Sequence, residues 1–343
     1  MNEINVYSHE DCLKKDNGIG HPERKERLET VLKSIKEIKD IKINLKEAPL
    51  ANLDIIDYVH PKKYIEEIFS NIPKEGLIGV EKEPYADTLL CPFSKNAILR
   101  ACGAGIAAAD DLIKNNIISF CAVRPPGHHA ETTRANGFCF VNNIAVTARY
   151  LQKKYSVGKI AIIDFDVHHG NGTQEIFYKD PSVAYGSIHE FPLFPGTGSE
   201  NETGAGNIFN APIPAETSGK EFIKILERKV LAKIDKFKPE VILISAGFDA
   251  HSRDPLAHIN VESEDYNAIT KKIIELAKIH SKGRVISFLE GGYDLQALSE
   301  SIIEHLKGLK THIWPIIRIL KFLYFFFCYR SKKIINNICR QKK

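Results

Sequence analysis

Two aspartates and two adjacent histidines follow a single apolar run in IDFDVHHGNGT, residues 163–173. Acids and imidazoles at the edge of a core need partners, because an uncompensated buried charge costs several kcal/mol or shifts its pKa until it is neutral. Asp166 and His168 stand two residues apart, so at the end of an extended segment their side chains leave the same face and can meet one ion. A third ligand is then required. Asp249, in GFDA, follows another apolar run in the same way. One imidazole and two carboxylates leave a fourth position open for water or substrate, as a catalytic zinc site needs, and the carboxylate share keeps Fe(II) as an alternative. The competing reading makes the two aspartates helix caps and His168 a core histidine. It loses ground because all three stand at successive strand ends.

His128 and His129 in RPPGHHA suit acid–base work, since histidine titrates near neutral pH and water at a metal needs a proton acceptor. The alternative is surface decoration on a Pro-Gly loop. Each imidazole needs an orienting partner, and Asp164 and Asn171 bracket the ligand motif. A carboxylate would hold its histidine protonated, while an amide would leave the other nearer neutral. Tyr293 in EGGY follows two glycines that let the chain turn tightly, and its phenol could donate to an oxyanion. Taken alone, a buried aromatic on a turn explains GGY equally well.

The elements that must position these groups alternate along the chain. Near-continuous apolar runs at 119–123, 159–163, 183–188, 241–245 and 284–289 predict buried strands. Stretches at 95–113, 143–154, 220–237, 264–280 and 294–306 place apolar residues at helical spacing. The order predicts an α/β fold, three layers in one domain with a mainly parallel sheet, and functional groups just beyond the carboxyl ends of the strands. Each of the five runs is indeed followed by polar or glycine-rich chemistry: RPPGHHA, DFDVHHGNG, SIHEFPLFPGTG, SAGFDAHSRDPL and LEGGYDL.

The chain has 343 residues, 43% of them hydrophobic, enough for a sizeable core. Lysine plus arginine number 47 against 43 acids, and a net charge of +4 gives no ground for a nucleic-acid partner. The seven cysteines are scattered without a CxxC pair, which argues against a disulfide framework. The opening MNEINVYSHEDC has no basic segment followed by an apolar one, so a cytoplasmic location is expected.

Together RPPGHHA, GFCFVNNIA, DFDVHHGNGTQ, SIHEFPLFPGTG, SAGFDAHSRDPL and LEGGYDL resemble the histone deacetylase, acetylpolyamine amidohydrolase and acetoin-utilisation superfamily, nearest its class II and bacterial branch. The resemblance runs from HPERKERL at residue 21 to about Leu309 and implies an arginase-like α/β fold with a zinc-dependent amide hydrolysis site. It implies Asp166, His168 and Asp249 as zinc ligands and His129 as general base backed by Asn171. His128, backed by Asp164, becomes its electrostatic neighbour, and Tyr293 the oxyanion donor. Phe138 and Phe194 resemble the walls of an acyl-lysine tunnel, Asp87 a rim carboxylate, and Arg27 the arginine near an inner acetate pocket. Gly137 and Gly292 complete the substrate-contacting set. Backbone carbonyls around Asp164, Asp166, His168, Ser187 and Ile188 would serve a monovalent cation, so potassium joins the expected ions. Leu256 aligns with a gatekeeper that is acidic in polyamine-preferring relatives, which favours acetylated lysine in a protein over a small acetylated amine. Lys25 stands where the family pattern usually has proline, and Ala257 where glycine is common; both concern loops at the mouth. The alternatives are an acetylpolyamine amidohydrolase and a weakly active acyl-lysine binding module.

Residues 1–310 are read as the deacetylase-like domain and 311–343 as an apolar and basic tail. The stretch IWPIIRILKFLYFFFCY spans 17 residues and is broken by Arg318 and Lys321, so it is ill suited to crossing a bilayer. Peripheral membrane contact through an interfacial helix, a helix covering the domain, and a dimer contact are the readings of this tail. Nothing in the sequence speaks further to oligomeric state.

Overall fold

In the computed structural model, residues 3–80 and 86–310 are described. The expectations for residues 311–343 lie outside them. Ten strands occur among the described residues: β1 (Glu3–Ser8), β2 (Lys42–Glu47), β3 (Ile78–Gly79), β4 (Leu89–Leu90), β5 (Ile118–Cys121), β6 (Ile160–Asp164), β7 (Val183–Glu190), β8 (Ile208–Ile213), β9 (Val241–Ala246) and β10 (Val285–Leu289). Eight form one sheet in the order β2-β1-β5-β10-β9-β6-β7-β8, with every pair parallel. The short strands β3 and β4 pair with each other, antiparallel.

The central strands are buried from end to end, which is why they read as continuous apolar runs. Helices cover both faces, as neighbouring residues of β10 show. Ser287 bonds His305 on the helix Leu295–Leu309 at 2.9 Å, whereas Phe288 packs against Gly105 on the helix Ser94–Asn115. Successive side chains leave opposite faces of a strand, so these two helices lie on opposite sides of the sheet.

Three strands of the main sheet are absent from the sequence reading, each for a local reason. In β2, KINLKE carries alternating charge and lies exposed on the sheet edge, where lysines discourage pairing with other chains. Strand β1 contains a buried Asn5, and β8 contains Asn210 and Pro212, so neither makes an uninterrupted apolar run. The helix expected over 220–237 is divided: Gly219–Ile225 and Ala232–Phe237 flank a π-helical turn, Leu226–Leu231.

The chain passes from β5 to β6 across a gap of two strands, and that gap is later filled by β9 and β10. As a result the carboxyl ends of β5, β10, β9 and β6 stand side by side. These ends deliver the paired histidines, the GGY turn, Asp249 and the DVH segment to one place. Glu3–Lys310 forms one compact unit, and no helix among the described residues is long and apolar enough to cross a membrane.

Candidate active site

Strand β6 stops at Asp164, and the chain bends through the next residues rather than continuing extended. The expected same-face alternation of Asp166 and His168 therefore does not apply. Convergence comes instead from carboxylates capping the bend: Asp166 N–H donates to Asp164 Oδ1 at 3.2 Å, and His168 N–H to Asp166 Oδ1 at 2.9 Å. Across the β6–β9 junction, Val167 N–H donates to Asp249 Oδ1 at 3.0 Å. The outcome is a buried trio, Asp166, His168 and Asp249, whose ligand atoms all lie within 4.8 Å of one another. His168 Nδ1 is 3.2 Å from Asp166 Oδ1 and 3.1 Å from Asp249 Oδ2.

This donor set fits a divalent cation. Burial would lower the pKa of His168, yet Asp166 and Asp249 outweigh it and push it up to about 10. The two carboxylates that raise His168 are the groups a cation at this point would compensate. The two acids respond in opposite directions. Burial would raise Asp166, but His128 and His168 hold it well below the carboxylate range, while burial and the charge of Asp166 push Asp249 up. Glycines leave room for the trio: a Cβ on Gly247 would meet Asp166 Oδ2 at 2.1 Å, and one on Gly291 would meet Asp249 Oδ2 at 2.0 Å.

The two histidines after β5 have different surroundings. His128 Nδ1 faces Asp164 Oδ2 at 3.1 Å, and Tyr185 donates to that same oxygen at 3.0 Å. Burial opposes protonation of His128, but Asp166, Asp164 and Glu290 raise it to about 10. His129 Nδ1 faces Asn171 Oδ1 at 2.8 Å. Burial, followed by the charges of His128 and His168, takes His129 well below an ordinary histidine. One imidazole is held charged and its neighbour neutral, with ring centroids 3.9 Å apart.

Tyr293 is buried, and its hydroxyl makes no hydrogen bond among the described residues. Arg27 holds the turn that carries it, donating from Nε to Gly292 O and from Nη2 to Glu290 O, both at 2.6 Å, with its guanidinium 4.9 Å from the Tyr293 ring centroid. Arg27 is itself held by Glu23, which also pairs with Arg124 in a fully buried cluster. The ring of Phe138 lies 6.1 Å from that of Tyr293, and the ring of Phe194 lies 5.1 Å from His129 and 6.2 Å from His168. Phe138 stands on a two-residue turn closed by the Asn136–Cys139 bridge, with φ of +52° at Gly137 and +68° at Phe138. Both positive values are those of a type I′ turn. Glycine is required at 137 for a second reason, since a Cβ there would meet His129 Cδ2 at 2.5 Å. Phe138 N–H is secured by Thr88 Oγ1 at 3.1 Å, and Thr88 is the neighbour of the exposed Asp87. Leu256 is half-buried, its N–H bonded to Asp254 Oδ1 at 3.0 Å.

Several residues of this site escape sequence reasoning. Glu290 Oε2 accepts from Gly127 N–H at 2.7 Å and His128 N–H at 3.2 Å, and Oε1 from Ser245 at 3.1 Å. Burial lifts it to about 7 against the pull of His128. Its signal is an acid closing an apolar strand, as Asp164 closes β6. Asp254 accepts Tyr293 N–H at 2.7 Å and is raised to about 7 by burial and by Asp249. Tyr185, in the middle of β7, carries no signal that separates it from a core aromatic.

Comparison with known proteins agrees with this arrangement. The family description "Histone deacetylase domain" matches residues 21–309. The chain belongs to the histone deacetylase family. Among its relatives, a "Probable deacetylase" of Archaeoglobus fulgidus is 35% identical over 85% of this chain and 81% of its own. "Histone deacetylase 10, chloroplastic" of Oryza sativa subsp. japonica is 34% identical over 83% of this chain and 68% of its own. The solved HDA15 HD domain superposes with a TM-score of 0.82 at 31% identity, covering 89% of this chain and 90% of that one. As a histone deacetylase family member the protein is a deacetylase, and its eight-stranded sheet with flanking helices is that of the family domain.

Proposed function

We propose that this deacetylase is a metal-dependent amidohydrolase that removes acetyl groups from lysine side chains, releasing acetate and the free amine. The observation that carries the reading is the convergence, at four adjacent strand ends, of a buried Asp-His-Asp trio, an oppositely tuned histidine pair and a buried phenol whose hydroxyl makes no hydrogen bond among the described residues.

Asp166, His168 and Asp249 would hold the ion, zinc or Fe(II), and when bound it supplies Lewis-acid polarisation of the amide and a lowered pKa for water. His129 keeps its hydrogen on Nδ1 toward Asn171, which leaves Nε2 as the base that takes a proton from the attacking water and returns it to the leaving amine. His128, kept charged beside Asp164, stabilises negative charge as it builds up. Tyr293 donates its hydroxyl hydrogen to the developing oxyanion. Phe138 and Phe194 guide the acyl-lysine chain, Asp87 reaches the substrate backbone at the rim, and the apolar Leu256 favours lysine over a polycationic amine.

Replacement of Tyr293 by phenylalanine tests this assignment. Tyr293→Phe is expected to lower kcat on acetyl-lysine peptides by roughly two to three orders of magnitude. KM and metal content should stay near parental values. A loss under about fivefold would remove the oxyanion role and favour a binding module.

A further inference from the structure

We infer that Glu131 is a positioning residue for the reaction, acting through Asn171 on His129; the inference rests on the base role proposed for His129. Asn171 Nδ2 donates to Glu131 Oε1 at 2.7 Å, and Asn171 Oδ1 faces His129 Nδ1 at 2.8 Å. A carboxamide has one donating and one accepting end, and an ionised carboxylate only accepts. Glu131 therefore fixes which way the amide points: nitrogen toward itself, oxygen toward His129. An amide oxygen can only accept, so the hydrogen of neutral His129 resides on Nδ1 and Nε2 is left bare. If residue 131 offered no acceptor, the amide could turn over and present its NH2 group to the imidazole. Nδ1 would then accept, the hydrogen would move to Nε2, and the ring could no longer take a proton there.

Glu131 is held firmly for this task. Its N–H bonds Arg134 O at 2.9 Å, and the next residue, Thr132, donates from N and Oγ1 to Glu175 Oε2 at 3.0 and 2.7 Å. The His60 ring meets Thr132 O at 3.1 Å, and Asn142 Nδ2 holds Ala130 O at 3.2 Å. Among the described residues, the one hydrogen bond of the Glu131 carboxylate goes to Asn171. Glu131 lines an open cavity of about 760 Å³ together with Asn171 and Glu175, so its replacement removes no core packing.

The test is a two-by-two comparison of the metal-loaded full chain on an acetyl-lysine peptide: parent, Glu131→Ala, Asn171→Asp and the double variant. In the parent background, Glu131→Ala is expected to lower kcat by roughly ten- to a hundredfold, less than the 10²–10⁴ that general-base catalysis contributes as a whole. KM should stay within about twofold of the parent. An aspartate at 171 presents oxygen whichever way it points, and Glu131 beside it is a second anion. In that background Glu131→Ala should leave kcat unchanged or raise it. A comparable fall in both backgrounds means that Glu131 serves the fold, and it overturns the inference, as does a parental loss under about threefold. Glu131→Gln, which keeps size and one acceptor, should lose less than the alanine variant and supplies the comparison if the latter does not fold. His129→Ala separates the two layers of the argument. If it abolishes turnover while Glu131→Ala is silent, only the Glu131 role fails; if it is harmless, the base assignment itself fails.

Discussion

Gly291→Ala adds one methyl group at the point where the metal trio has least room. The new Cβ would sit 2.0 Å from Asp249 Oδ2 and 2.7 Å from Asp166 Oδ2. Contacts under 3.0 Å do not persist, so the Asp249 oxygen must retreat by about 1 Å, several times the ~0.2 Å within which ligand distances hold. The backbone is not the obstacle, because φ at Gly291 lies outside the left-handed region and alanine can adopt it. Charge is also unchanged, so the effect isolates ligand placement. We expect zinc affinity, measured by competition with a chromogenic chelator, to fall by roughly ten- to a hundredfold, the usual cost of disturbing what orients a ligand. At subsaturating metal kcat should fall in step. The metal-free variant should still fold, with a modest fall in thermal midpoint, since both the Asp249 and the Asp166 side chains must shift to make room. Zinc affinity within threefold of the parent, with normal turnover, would show that Asp249 is not a ligand or that the trio is not what binds the ion.

Zinc added to the metal-free protein at pH 8 should displace about one proton from His168, whose Nδ1 proton is held up to a pKa of about 10 by Asp166 and Asp249. Calorimetry in buffers of different ionisation enthalpy measures this, and zero net release would contradict it. Two buried histidines should each lower stability on mild acidification, while Glu290 and Asp254, whose carboxyls are raised to about 7, act in the opposite direction. Burial lowers His60 to about 4 and His305 to about 3 from 6.5, so their contribution is complete above pH 6.5 and is lost as pH falls toward those values. Each histidine then costs about 1.4 kcal/mol per pH unit between pH 6 and 5, read for His305 as the parent's urea-derived stability minus that of His305→Gln across the interval, and a difference that does not change with pH would contradict it. Leu256→Glu should raise kcat/KM for acetylspermidine relative to an acetyl-lysine peptide by about two- to fivefold, the worth of a partly exposed ion pair. No change would detach Leu256 from substrate choice.

The buried centre of the fold was legible because two-sided burial writes itself as apolar runs: ISFC, IAIID and VILISA can be read without knowing their neighbours. The same rule fails at the sheet edge, where KINLKE pays for exposure with charge and resembles a surface helix or loop. The candidate site was legible where chemistry is concentrated in a short stretch, as in DFDVHH and GHH. It was not legible where one residue acts across long separations. Glu290 reaches Gly127, 163 positions away, and Arg27 reaches Gly292, 265 positions away. No local pattern records such a contact. Alternation also misled in detail: Asp166 and His168 converge because Asp164 and Asp166 cap a bend, not because a strand continues.

The late arrival of β9 and β10 between β5 and β6 has a consequence for the growing polypeptide. Before residue 241 emerges from the ribosome, β2-β1-β5 and β6-β7-β8 are two half-sheets with no strand to join them. The paired histidines then belong to one half and the DVH segment to the other, and the bond between His128 and Asp164 has nothing beneath it. The last third of the chain is a keystone that closes the seam and creates the reactive centre in the same event. Such non-local closure is slow compared with the formation of hairpins or helices. A nascent or prematurely ended chain would therefore have neither the stability nor the chemistry of the finished one.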